Sequence, residues 1–150
     1  MALQVGIFVA VALVAGAVAR WLRHRTPDGP PRDAFPVPRQ LARPDFPRPE
    51  AAWLVAYFSS ETCASCQGLA AKVAVLESAE VATCELEFAS QRELHERYDV
   101  SAIPMILIAN SDGVVLRAFL GSTSATDLWA ALAECREPGS TPEADLGAIT

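Results

Sequence analysis

The chain has 150 residues, enough for one domain and some additional segments. Hydrophobic residues make up 51% and charged residues 20%, a composition that permits a packed core. Residues 20–49 carry seven arginines against three acids, while residues 50–150 carry five Lys/Arg against fifteen acids. The acidic part argues against nucleic-acid binding, which needs a basic footprint, and the basic part fits an anionic membrane surface.

The first element is an apolar run, "ALQVGIFVAVALVAGAVA" at residues 2–19, whose one polar side chain is Gln4. About 18 residues is near the lower limit for a membrane-spanning helix, and Trp21 and Leu22 extend the run into the interface, giving an anchor over 1–22. A cleaved signal peptide is the rival, with Ala17-Val18-Ala19 as its cleavage site, but "MALQ" lacks the positive charge that should precede the run. Arg20, Arg23 and Arg25 follow it instead. Positive charge tends to stay cytoplasmic. The expectation is therefore a single-pass protein of the cell membrane whose folded domain faces the cytoplasm. Residues 23–50, rich in Pro and Arg, deny helix and sheet a regular run and read as a semi-extended linker. Within it, "RQLARPDF" either forms a local turn or docks on the domain.

The compact region is expected over 51–136. "WLVAYFSS" reads as a buried strand. "CASCQGLAAKVAVLESA" reads as a helix with Leu69, Val73 and Leu76 on one face. "VATCELEF" alternates as a second strand. "SQRELHERY" reads as a short helix with Ser90 as cap, Glu93 at the capping-box position and His95 facing solvent. "PMILIA" and "GVVLRAFLG" flank "NSDG", where Asp-Gly between apolar strands signals a hairpin. "TSATDLWAALAECR" closes the region as a helix with Leu128, Ala131, Leu132 and Cys135 on one stripe. The order β-α-β-α-β-β-α lets the first three strands pair in parallel through helical crossovers, with the last strand added antiparallel. The fold class is thus α/β, a mixed sheet of about four strands flanked by helices. The Pro/Gly/Ser/Thr-rich end, residues 137–150, reads as a disordered tail.

Chemistry concentrates in "SSETCASCQGL". Cys63 sits where strand gives way to helix, where free N–H groups and the helix dipole favour a thiolate. The C-x-x-C spacing places Cys66 one turn inward, near enough to close a disulfide and more protected from attack. A dithiol pair in a β-α unit is the informative context for this motif. Two other readings remain. A zinc site needs four ligands, and the remaining candidates, Cys84, Cys135, His24 and His95, are not paired in sequence. Inert thiols are the other possibility, and Cys84 and Cys135 are readily explained as small buried hydrophobes. No nucleotide-binding Gly-rich loop and no Ser/His/Asp arrangement is visible, so no cofactor and no metal are expected. Glu61 is either a loop charge or a group that raises the nearby thiol pKa.

Taken together, "WLVAYFSSETCASC", "RYDVSAIPMILIANSDGVVLRAFLG" and the final helix resemble the thioredoxin family in order and spacing over residues 51–136. On the residues alone Pro104 could simply open an edge strand. The resemblance implies instead that the Ile103–Pro104 bond is cis and that this loop faces the disulfide. The backbone of Ile103 would then pair with an extended substrate segment. It also implies thiol–disulfide exchange with Cys63 as nucleophile and Cys66 as resolver, acting on protein clients and a separate redox partner. Three positions depart from the family pattern. Thr62 stands where the family has Trp, Ala64-Ser65 where thioredoxins have Gly-Pro, and Tyr57 where they have a buried acid. Tyr, with a pKa near 10, is a poor proton acceptor at neutral pH. Tyr57 thus modulates the pair, and Thr62 takes a place in the client surface. The family's first strand and helix are missing or replaced by the linker. An enzyme with a dedicated partner is one expectation. A binding or redox-sensing module with little turnover is the other.

Overall fold

A computed structural model describes residues 35–140 and the backbone of 148–149. The expected anchor and the start of the linker lie outside the described residues, among which no helix is long and apolar enough to cross a membrane.

The elements in chain order are β1 (Trp53–Ser59), α1 (Leu69–Ala74), β2 (Val81–Glu87), α2 (Arg92–Arg97), β3 (Met105–Asn110), β4 (Val115–Leu120), α3 (Ala125–Arg136) and β5 (Ala148–Ile149). The sheet order is β2-β1-β3-β4-β5, with the two-residue β5, in the segment read as a tail, pairing antiparallel with β4. Only β1 and β2 are parallel; β3 runs antiparallel to β1, with Phe58 opposite Met105 and Trp53 opposite Asn110. This corrects the expected parallel third strand. α2 is held at the sheet end where β2 finishes, with His95 against the Leu86 carbonyl and the Phe58 ring, so the chain re-enters the sheet from that end and β3 runs back along β1.

Side chains on β1 and β3 alternate strictly between two cores. Val55, Tyr57, Ile106 and Ile108 join Leu69, Val73 and Leu76 on and after α1 and Leu128, Ala131 and Leu132 from α3. Leu54, Ala56, Phe58, Met105, Leu107 and Ala109 point the other way. With both faces covered, each strand reads in sequence as a continuous apolar run.

The second face is covered by α2 and by residues 41–51, in which Arg43–Asp45 forms a 3-10 turn and Leu41, Phe46 and Ala51 dock on the sheet, so the segment both turns and docks. Leu41 and Phe46 are 0% and 4% exposed. The buried Arg43 donates from Nη2 to the carbonyls of Arg48 and Ala51, and its burial pulls the guanidinium pKa down. Gln40 bridges to Val114, and the Leu41 N–H donates to the Gly113 carbonyl at 2.8 Å. Gly113 is required twice. Its φ is +79°, and a Cβ there would lie 1.9 Å from the Leu41 carbonyl oxygen.

Three local expectations are corrected. The expected long helix after Cys63 is a 3-10 turn (Ala64–Cys66) followed by the short α1, because Gly68 takes φ +74° between them. Ser90 does not cap α2: Gln91 holds that position without a side-chain bond, and Ser90 turns back to donate to the Glu87 carbonyl. His95 does not face solvent. It is 2% exposed, donates from Nε2 to the Leu86 carbonyl at 2.9 Å, and meets Phe58 and Phe88 edge-on. The final helix forms as expected, and Ser124 and Asp127 close a capping box at its start.

Candidate active site

β1 delivers the chain to the sheet end at Ser59, and a tight turn follows in which the Cys63 N–H donates to the Ser60 carbonyl at 3.0 Å. The next 3-10 turn closes with the Cys66 N–H donating to the Cys63 carbonyl at 3.1 Å. This brings the two Cα atoms to 5.3 Å, and Cys63 and Cys66 are joined as a disulfide. Their environments differ. Cys63 is half-buried with its Sγ 3.4 Å from the Ser65 hydroxyl, whereas Cys66 is 9% exposed and part of the core. Since only a 3-10 turn follows Cys63, the expected helix-dipole support for its thiolate is not built there. The local N–H groups and the neighbouring hydroxyl are what the turn supplies.

Tyr57 lies fully buried beneath the pair, and its hydroxyl donates to the Cys66 carbonyl at 3.0 Å, not to a thiol. Burial first, then the charge of Glu85, pushes its pKa up to about 12. Thr62 is exposed beside Cys63, and its hydroxyl pairs with that of Ser60 at 3.1 Å. The Ile103–Pro104 peptide bond is cis. Ile103 packs against the same core cluster as Cys63, and the carbonyl of the buried Pro104 accepts the Gly121 N–H at 2.9 Å. The cysteine turn and the Ile103 loop therefore meet one core at the same sheet end.

The sequence reading passed over two residues here. A cavity of about 190 Å³ opens beside the disulfide, lined by Cys63 and Cys66 and by the carboxylate residues Glu61, Glu85 and Glu87. Glu85 pairs with Tyr57 in the parallel register, and its Oε1 accepts the buried Ser59 hydroxyl at 2.7 Å. Glu87 accepts backbone N–H groups of Ala89 and Ser90, which hold its carboxyl below the usual range. Period-two alternation combined with a β1–β2 register would have found Glu85. No local motif marks it.

The other two cysteines stay apart from this site. Cys84 and Cys135 are free. Burial pushes the Cys84 thiol up to about 12 and the Cys135 thiol upward, keeping both protonated at neutral pH. Among the described residues, no group of three His, Cys, Asp or Glu is placed to hold a metal.

The thioredoxin family model matches residues 47–134. The chain belongs to the thioredoxin family. Similar solved structures include a mutant thioredoxin from Halobacterium salinarum, 23% identical at a TM-score of 0.50, with 57% of this chain and 75% of that one covered. A thioredoxin-2 of the malaria parasite is 17% identical at 0.50, covering 55% and 82%. The Fasciola hepatica thioredoxin is 26% identical at 0.49, covering 56% and 81%. The two likenesses at 0.50 show the thioredoxin fold. No curated protein matches the chain.

Proposed function

We propose that this thioredoxin domain is a thiol–disulfide oxidoreductase acting on protein clients. One observation carries the reading: Cys63 and Cys66 form a disulfide in which the outer cysteine is half-buried and the inner one is held in the core. In the reducing direction, the Cys63 thiolate attacks a client disulfide, one client sulfur leaves as thiolate, and a Cys63–client mixed disulfide forms. Cys66 then attacks the Cys63 sulfur and releases the second client thiolate. The client gains two electrons and the Cys63–Cys66 pair loses them. The oxidising direction is the reverse. A separate redox partner resets the pair. Thr62 and the backbone of Ile103 supply the client surface, the latter by pairing with an extended segment. Residues 1–22 would hold the domain at the cell membrane, facing the cytoplasm. A reporter fused after Thr150 that is active only outside the cytoplasm overturns that orientation if it lights up.

Tyr57 supports a second reading, a binding or redox-sensing module with slow turnover, because a hydroxyl that stays protonated to about pH 12 does not take a proton from Cys66. Trapping with Cys66→Ser separates the two. Many transient mixed disulfides that wild-type protein turns over support the enzyme, and one stoichiometric partner without turnover supports the module. Undiminished insulin reduction by Cys63→Ser would overturn the assignment of the nucleophile.

A further inference from the structure

Resolution of the mixed disulfide requires Cys66 to lose its proton at the inner end of the site. Tyr57, the residue directly beneath, is committed as a donor to the Cys66 carbonyl. The proton must therefore leave by another route.

Three carboxylates share a cavity with Cys66, and they are not equivalent. Glu87 is tied up by the N–H groups of Ala89 and Ser90, which weakens it as a base. Glu61 lies on the turn before Cys63, off the sheet, and is exposed, as Glu85 also is. Glu85 alone stands on the sheet beside Tyr57, on the face that carries Cys66. The buried Ser59 hydroxyl fixes its Oε1, and its Oε2 accepts no hydrogen bond among the described residues. The cavity of about 190 Å³ exceeds the roughly 30 Å³ that one water occupies in the liquid, so solvent can bridge thiol and carboxylate. Glu85 also lines a second cavity, where α1 contributes Ala70, Ala71, Val73 and Ala74 and no charge.

We propose that Glu85 is the proton acceptor for Cys66, acting through water in this cavity with Ser59 as its positioning partner; the inference rests on the exchange reading above. The Cys66 S–H proton passes to Glu85, and the Cys66 thiolate attacks the Cys63 sulfur. The Cys63–client bond breaks, and the client sulfur leaves with the electron pair. In the reverse direction the protonated Glu85 returns the proton as Cys66 becomes a thiol.

Two measurements on the full chain test this. The first is release of thionitrobenzoate from a mixed disulfide at Cys63, followed by stopped flow over a pH series. Glu85→Gln is expected to slow release at neutral pH by at least about 10-fold, with recovery as pH rises. Glu85→Asp is expected to restore most of the rate. Equal rates and equal pH profiles for wild type and Glu85→Gln would overturn the proposal. The second needs no turnover: the Cys66 Cβ resonance in a Cys63→Ser background is titrated by NMR. Two inflections are expected with Glu85, and loss of the lower one in Glu85→Gln; superimposable curves overturn the coupling. Normal thionitrobenzoate release without reduction of any protein client would instead sink the exchange function and leave the role of Glu85 standing.

Discussion

The two faces of the sheet are made by the same strands and do different work. The face of Leu54, Ala56 and Phe58 is sealed by α2 and by an irregular segment anchored through Leu41, Phe46 and Arg43. The face of Val55 and Tyr57 is covered by two helices, yet it carries a tyrosine hydroxyl, a disulfide and, at its edge, an open gap lined by carboxylates. Alternation along β1 separates stability from chemistry within single residues of each other. A change on one face should thus be readable without confusion from the other.

The sharpest way to break that division is Phe46→Ala. Removing a buried aromatic costs about 3–5 kcal/mol, and urea unfolding should show the loss in one transition, with thiol–disulfide exchange retained at temperatures where the protein stays folded. A loss under about 1 kcal/mol would mean that residues 41–51 are not part of the cooperative unit. On the other face, Tyr57→Phe leaves the buried Cys66 carbonyl without its donor and should cost about 1–3 kcal/mol. Because Tyr57 is no base, release from the Cys63 mixed disulfide should stay near the wild-type rate, and a collapse of that rate would return the proton-accepting role to the hydroxyl. Ser124→Ala removes the cap of α3 at about 1 kcal/mol, with the midpoint of denaturation as the readout and no change in exchange.

The smallest expected effect is a pH dependence on the sealed side. The Tyr98 hydroxyl and then the Arg97 guanidinium hold the Asp45 carboxyl below its usual range. A depressed folded-state pKa stabilises above the ordinary value near 3.9, and that contribution is lost as pH falls through the lower folded value. Stability measured by denaturant should therefore decline in acid below about pH 4, and Asp45→Asn should flatten that decline. An unchanged acid limb in the variant would remove Asp45 as a cause.

Much of the architecture was legible because strong local signals agreed: uniform apolar runs for β1 and β3, the Asn-Ser-Asp-Gly turn, and the amphipathic α3. The cysteine pair was legible for the same reason, since spacing and position on the chain coincide. What could not be read depended on contacts between distant residues. The direction of β3 follows from where α2 docks, which depends on His95 meeting Leu86 and Phe58 at the end of β2. His95 is buried because two phenylalanines and the Leu86 carbonyl converge on it. The proline-rich segment folds onto the sheet because Gly113 lets the Leu41 backbone approach. Glu85 was invisible for want of a register. One residue's shift of β2 along β1 would have carried it to the opposite face.

The Gln40–Val114 bridge also separates two ends of the domain. It lies at the tip of the β3–β4 hairpin, beside the start of β1, and the cysteine turn follows the far end of that strand. Residue 40 and the disulfide thus sit at opposite ends of β1, with roughly 23 Å of strand between them, so a disturbance at the Gln40 contact reaches the cysteines only through the length of the sheet.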